Sequence, residues 1–209
     1  MRIGIAGTVI VTASLLTAGC HPLRAQSDQG DTLSRATVCR RAAATMRGAP
    51  NTSQFVYAAA DLANCPDEGG PSLSAAWRNP PGDSAALRAL GEVSPRLRDQ
   101  DVFQAALSAF GNPGQPRAVR LAALSALVGY YDPSSVLRFT EPDVPGQRGN
   151  AYVMLGRGSA PSLTAGKKPL SNKVRQEIVQ ALTTVGKGDP DDRVKAIAEY
   201  IRSRLVATP

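Results

Sequence analysis

The chain has 209 residues, enough for one hydrophobic core, and an excess of basic over acidic residues gives it a formal net charge of +7 at pH 7. It contains one histidine, His21. This composition argues against a histidine-based catalytic triad and against a zinc site built from several histidines. We therefore expect a protein that is not an enzyme and that needs no cofactor.

The first twenty residues have the layout of a secretory signal. Arg2 precedes an uncharged, largely apolar run over 3–16, and small residues follow before Cys20. The run is too short to span a bilayer as a permanent helix. The stretch "LTAGC" resembles the lipobox of bacterial lipoproteins, although Leu16 stands one position further upstream than is usual in that family.

The resemblance to lipoproteins implies that residues 1–20 are removed and that Cys20 becomes the acylated first residue of the mature chain. It also implies a periplasm-facing lipoprotein of the outer membrane, because His21 rather than Asp follows the cysteine. The alternative is ordinary cleavage after Ala25, which removes residues 1–25 and leaves a soluble periplasmic or secreted protein.

Residues 21–31 are polar and without periodicity, so they predict a flexible tether, and residues 32–209 predict a single helical domain. Two amphipathic helices open this domain, and each carries one apolar stripe: Leu33, Ala36, Cys39, Ala43 and Met46 in the first, Phe55, Ala58, Ala59, Leu62 and Cys65 in the second. A short turn joins them, so we expect them to pack antiparallel.

The three cysteines can be divided between two roles. Acylation uses Cys20 and ordinary cleavage deletes it, so Cys39 and Cys65 remain for one structural disulfide in an oxidising compartment. The two positions are not level along the helix pair, so the second helix should end and bend near Cys65. We expect Pro66 to stop that helix and "DEGGPS" to form a turn.

Three more helices are predicted after a Pro/Gly-rich connector around 77–84. Their start signals are Asp83 or Ser84, then Asp99 or Asp101, then Pro116. The third of these helices, "QPRAVRLAALSALVGYY", is rich in Ala, Leu, Val and Ser, which indicates packing surface.

The helical pattern breaks down over about 140–170, which predicts a long Gly/Pro-rich insertion. A small β-ribbon could pair Val136–Phe139 with Tyr152–Leu155. The insertion and its surroundings also supply our candidate binding residues: Arg148, Tyr152, Arg157, Lys167 and Lys168.

Two helices close the chain, "NKVRQEIVQALTTVG" and "DPDDRVKAIAEYIRSRL". Asp189 is the expected N-cap of the last helix, and Pro190 then lies in its first turn. The position of Asp189 and Asp192 at a helix start explains both carboxylates without a metal or acid–base role.

The stretches "AVRLAALSAL" and "KVRQEIVQAL" share a Val-Arg pair and small residues beside Leu or Ile. In this they resemble HEAT-type α-solenoid repeats. The likeness covers about 84–132 and 172–205, and a weaker likeness covers 32–65. The resemblance implies an all-α fold in which antiparallel helix pairs stack into a short solenoid.

These observations favour a non-catalytic, exported scaffold or adaptor that binds another envelope protein through its stacked helix pairs or its insertion. The alternative is a binder of an anionic envelope polymer or lipid headgroup that uses the basic residues of the insertion. We expect no nucleic-acid partner, because the chain is exported and its arginines are scattered, and we expect membrane contact only through a lipid anchor.

Overall fold

The structure is a computed structural model that describes residues 23–133, 135–139, 153–157 and 171–206, with side chains for 35–133, 135, 137 and 171–206. Within these ranges the chain forms eight helices and two strands: α1 Leu23–Arg47, α2 Thr52–Leu62, α3 Pro66–Arg78, α4 Ser84–Leu97, α5 Gln100–Gly111, α6 Arg117–Tyr131, β1 Ser135–Phe139, β2 Val153–Arg157, α7 Asn172–Gly188 and α8 Asp192–Val206.

The chain divides into two compact units, Met1–Arg35 and Ala36–Pro209. In the first unit the described residues are the start of α1. This helix begins at Leu23, inside the segment 21–31 for which the sequence predicts a tether. Pro22 immediately before a helix and good helix formers such as Leu, Arg and Gln after it explain this start.

The second unit is a stack of helix pairs arranged in two layers. One layer runs α2, α4, α6 and α8, because each of these helices contacts the next in that series. The other layer runs α3, α5 and α7 in the same way, and consecutive helices contact each other across the two layers. The predicted all-α fold of stacked helix pairs is confirmed.

Helix α3 covers a segment whose first half the sequence predicts to be a turn. Pro66 begins this 13-residue helix instead of ending the previous one. Gly69 and Gly70 are packing residues, because a Cβ on Gly69 would lie 2.4 Å from the Leu62 carbonyl oxygen and one on Gly70 would lie 2.7 Å from Asp99 Oδ2. The two glycines therefore let α3 approach α2 and the start of α5 closely.

Helix α6 lies at the centre of the stack. It contacts α4, α5, α7, α8 and β1. Leu121, Leu124 and Val128 share one face at helical spacing, but the helix is buried on almost every side from Val119 to Val128. A helix with apolar residues on nearly every side is typical of such an interior position.

The two strands pair antiparallel at the place where the sequence predicts a ribbon. Ser135 lies opposite Arg157 and Phe139 lies opposite Val153, so the second strand extends two residues beyond the predicted Leu155. Tyr152, which the prediction included, lies outside the described residues. β1 packs against α6.

The predicted disulfide joins Cys39 and Cys65, whose Cα atoms are 5.6 Å apart. As expected from their unequal distance to the turn, α2 ends at Leu62, and Cys65 lies in the short connection to α3. Both cysteines are buried. No helix in the described part of the chain is long and apolar enough to cross a membrane.

Candidate functional site

Most of the residues that the sequence predicts to bind a partner lie outside the part of the chain that the structure describes. Arg148, Tyr152, Lys167 and Lys168 lie outside the described residues, as does the predicted lipidation site Cys20. The backbone of Arg157 ends β2 opposite Ser135, and its side chain lies outside the described part. The binding role of these residues and the lipidation of Cys20 therefore stay predictions.

The candidate site is a polar cleft along α5, which we call the α5 groove. It has a volume of about 410 Å³, and its lining comes from the end of α3, from α5 and from the loop after it: Trp77, Arg78, Asp101, Gln104, Ala105, Ser108, Ala109, Asn112 and Gln115. The volume falls within the range of ligand pockets, roughly 300–1,000 Å³.

The groove follows from the sequence of α5. Asp101, Gln104, Ser108 and Asn112 are exposed and recur at helical spacing, whereas Val102, Phe103, Ala106 and Phe110 are buried on the opposite face. Small residues at 105 and 109 leave room between the polar side chains. Sequence reasoning missed this site, although the polar stripe behind the capping residue of α5 was the signal for it.

Two polar contacts show how the α5 groove is bordered. Gln104 Nε2 donates to Glu177 Oε2 at 2.9 Å, which places α7 beside the groove. At the other end, Asn112 Oδ1 accepts from the Gly114 amide at 2.9 Å and shapes the turn after α5. The side-chain carbonyl oxygen of Gln104 can accept a hydrogen bond, and the side-chain nitrogen of Asn112 can donate one. The α5 groove therefore offers a ligand both an acceptor and a donor.

The groove also holds two opposite charges that do not pair with each other. Within the described residues, neither Arg78 nor Asp101 forms an ion pair. Both side chains are exposed and line the same cleft. A ligand that carries both a hydrogen-bond acceptor and a donor would therefore meet a partner for each.

A buried ion pair fixes the C-terminal end of α5. Arg120, which is 2% exposed, donates from Nε to the Phe110 carbonyl oxygen at 3.0 Å and forms a two-pronged pair with Asp189. The Asp189 side chain is 3% exposed. The hydrogen bonds from Arg120 lower the pKa of Asp189 below its ordinary value. Arg120 thus connects α5 with the turn between α7 and α8.

This pairing corrects the predicted start of the last helix. α8 begins at Asp192, and its cap is Asp191, whose Oδ1 accepts from the amides of Arg193 and Val194 at 3.0 and 3.2 Å. Asp189 lies three residues before the helix, where its carboxylate binds Arg120 and accepts from the Asp191 amide at 2.9 Å. Asp191 also pairs with Arg117, with 2.7 Å between Oδ2 and Nε, and this pair lowers its pKa.

Hydrogen bonds from Tyr130 and to Asp99 fix the N-terminal end of α5. The buried hydroxyl of Tyr130 donates to the Ser94 carbonyl oxygen at 2.9 Å and lies 3.3 Å from that of Asp99. Asp99 caps α5 by accepting from the Val102 amide at 2.9 Å. Burial raises the pKa of Tyr130, so its hydroxyl stays protonated. Both ends of the α5 groove are therefore held by the core.

Among the described residues, no three His, Cys, Asp or Glu side chains converge in a way that could hold a metal ion. What the α5 groove offers chemically is a row of amides and one hydroxyl, with a guanidinium and a carboxylate at its borders.

No protein-family model matches this chain, and neither a curated protein nor a solved structure is significantly similar to it.

Proposed function

We propose that the chain is a non-catalytic scaffold or adaptor of the HEAT-like solenoid type that binds another envelope protein through its stacked helices, with the α5 groove as the contact surface. The observation that carries this proposal is the continuous polar stripe of α5 inside a cleft of about 410 Å³.

The lining chemistry suits a segment of polypeptide. Side-chain amides and hydroxyls both donate and accept hydrogen bonds, as do the peptide groups of an extended chain. Gln104, Ser108 and Asn112 present such groups at intervals of about one helical turn. Such a lining recognises backbone more than side chains, which fits a binding role better than a catalytic one.

The anchoring of the groove favours the same interpretation. The Tyr130 hydrogen bonds hold the start of α5, and the Arg120–Asp189 pair holds its end. A surface that needs no ordering on binding loses less conformational entropy, so modest contacts suffice for specific binding.

The proposal includes export and a lipid anchor at Cys20, with ordinary cleavage after Ala25 as the alternative. The Cys39–Cys65 disulfide supports export, because disulfides persist in oxidising compartments. Mass spectrometry of the mature N-terminus distinguishes the two routes. An acylated Cys20 supports the anchor and the outer-membrane location, and an unmodified Gln26 supports a soluble protein.

The binding proposal is tested by blocking the groove. Ser108→Arg places a long charged side chain in the α5 groove, and Ser203→Arg makes the same change on an exposed position of α8, in the other layer. We expect crosslinking and affinity capture from the native envelope to recover a specific protein with the wild type and with Ser203→Arg, but not with Ser108→Arg. Equal capture by both variants would contradict the role of the groove.

The same experiment separates the proposal from the alternative, an anionic polymer or lipid headgroup held by basic residues of the insertion. Those charges would be screened by salt, so binding to the polymer should fall steeply as ionic strength rises. Binding that survives Ser108→Arg, weakens with salt and disappears when residues 142–168 are deleted would favour the alternative.

A further inference from the structure

A second cleft lies where α1, α2 and α3 meet, and we call it the proline-lined groove. It has a volume of about 580 Å³, and its lining is mostly apolar: Met46, Arg47, Ala49, Pro50, Phe55, Pro71, Ser72, Ala75, Ala76, Asn79 and Pro81. It shares no residue with the α5 groove.

The walls of this groove are rigid. Three prolines, at 50, 71 and 81, have a restricted backbone, and the Cys39–Cys65 disulfide links α1 to the connection between α2 and α3. Asn51 and Gln54 form a reciprocal capping box that fixes the start of α2. The groove is therefore formed before any partner binds.

One wall contains a residue in an unusual backbone conformation. Ala49 has a φ of 53°, in the left-handed region that non-glycine residues rarely adopt. Ala49 follows the last turn of α1, and a left-handed residue at a helix C-terminus is common, so this conformation turns the chain towards α2 at the edge of the groove.

The charge at the groove is one-sided. Arg47 is its only charged lining residue, it is exposed, and it forms no ion pair within the described residues. Arg40 lies two turns earlier on the same face of α1 and is exposed as well. An unpaired guanidinium beside an apolar cleft is complementary to a carboxylate next to an apolar side chain, because its planar fork binds carboxylates with two hydrogen bonds.

We propose that the proline-lined groove binds an apolar segment of a second protein that carries a carboxylate beside its buried side chains. The apolar side chains fill the cleft, and the carboxylate pairs with Arg47. The groove opens to solvent, because Ala49, Pro71 and Ala75 in its lining are exposed. This favours a peptide over an acyl chain, since a peptide can keep its polar backbone in water while its side chains are buried.

The test uses the full-length chain and two short fluorescein-labelled peptides. Both peptides have a central Phe-Leu pair, which Glu flanks in one and Lys in the other. We expect fluorescence anisotropy to show binding of the Glu-flanked peptide and much weaker binding of the Lys-flanked one. Arg47→Glu should weaken the binding of the Glu-flanked peptide about tenfold or more, because it removes a charge-assisted contact.

Matched controls separate the groove from the general charge of α1. Arg41→Glu makes the same charge change at an exposed position outside the groove, and it should alter binding by no more than about twofold. Ala75→Trp should fill the groove and weaken the binding of the Glu-flanked peptide. Ala60 is exposed on α2 outside the groove, so Ala60→Trp should leave this binding unchanged. Circular dichroism checks that each variant is folded.

Three results would overturn the proposal. The first is equal binding of both peptides, or no binding of either below about 1 mM. The second is an equal effect of Arg47→Glu and Arg41→Glu. The third is binding of sodium dodecanoate in the absence of peptide binding, which would make an acyl chain the occupant.

Discussion

The two ends of α6 are fixed to their neighbours by different chemistry. At the N-terminal end, Arg117 and Arg120 form ion pairs with Asp191 and Asp189 of the turn before α8. At the C-terminal end, the hydroxyl of Tyr130 makes neutral hydrogen bonds to the carbonyl oxygens of Ser94, in the last turn of α4, and of Asp99, in the connection to α5.

This difference shows how one helix can be joined to two neighbours by contacts that respond differently to pH and to the loss of a partner. A buried ion pair becomes costly when one partner is removed or protonated, because the other charge is left unpaired in the interior. Neutral hydrogen bonds contribute less each, but they do not respond to pH while the donor stays protonated. The contacts at the N-terminal end of α6, the charged junction, should therefore contribute more to stability, but only at a pH where both partners are charged. The contacts at the C-terminal end, the neutral junction, should contribute less, and their contribution should not depend on pH.

The largest effect is expected from breaking the buried pair. Asp189→Ala leaves the Arg120 guanidinium buried without a carboxylate, so the free energy of unfolding should fall by about 3–5 kcal/mol. Urea unfolding followed by circular dichroism measures this loss. The double variant Arg120→Met with Asp189→Leu removes both charges and should lose much less. A double variant that is as unstable as Asp189→Ala would mean that packing, not the unpaired charge, causes the loss.

A change in pH should separate the two junctions. The folded-state pKa of Asp189 is lowered below 3.8, so its ion pair stabilises the protein above that value and is lost as pH falls towards the folded-state pKa. The stability difference between wild type and Asp189→Asn should therefore shrink below about pH 4. The difference between wild type and Tyr130→Phe should stay constant over the same range. A Tyr130→Phe difference that also shrinks would contradict the contrast between the ends.

A smaller effect is expected at the neutral junction. Tyr130→Phe removes the hydroxyl and leaves the carbonyl oxygens of Ser94 and Asp99 without this donor, which should cost about 1–2 kcal/mol. The ring contact with Phe103, with 5.3 Å between centroids, is kept in this variant. The measurement is again the urea midpoint at neutral pH, and a loss above that of Asp189→Ala would reverse the proposed order of the junctions.

The smallest effect is expected at the exposed pair. The Arg117 side chain is 41% exposed and that of Asp191 is 24% exposed, so solvent screens their attraction. Arg117→Gln should cost less than about 1 kcal/mol, and 1 M sodium chloride should remove most of that cost. Thermal unfolding with and without salt provides the measurement, and an effect that salt does not reduce would mean that Arg117 acts through packing.

The sequence predicts those features that depend on neighbouring residues. Apolar stripes at helical spacing predict α4, α5 and α7, and the caps of α4 and α5 are Asp83 and Asp99, in each case one of the two residues that the sequence predicts. The disulfide was predictable because cysteine count and helix faces left one pairing. Local signals failed at α3, since Pro66 and two glycines are typical of turns as well as of a closely packed helix start.

The features that depend on distant residues could not be predicted in this way. Arg120 and Asp189 are 69 residues apart in the sequence, and no residue close to either of them indicates that the two form an ion pair. The available signal was Arg120 itself, a charged residue within the apolar run of α6, which requires a buried partner. The α5 groove was missed for a related reason, because its borders come from α3 and α7 and only the stack brings them beside α5.

The central claim is that the α5 groove contacts another protein, and site-directed photo-crosslinking tests it most directly. Benzoylphenylalanine replaces Ser108 in the groove or Ser203 on α8 in the full-length protein, and the cells are irradiated before the envelope is analysed by mass spectrometry. We expect position 108 to form an adduct with one specific protein and position 203 to form none. Adducts with the same protein from both positions, or no protein adduct from position 108, would contradict the claim.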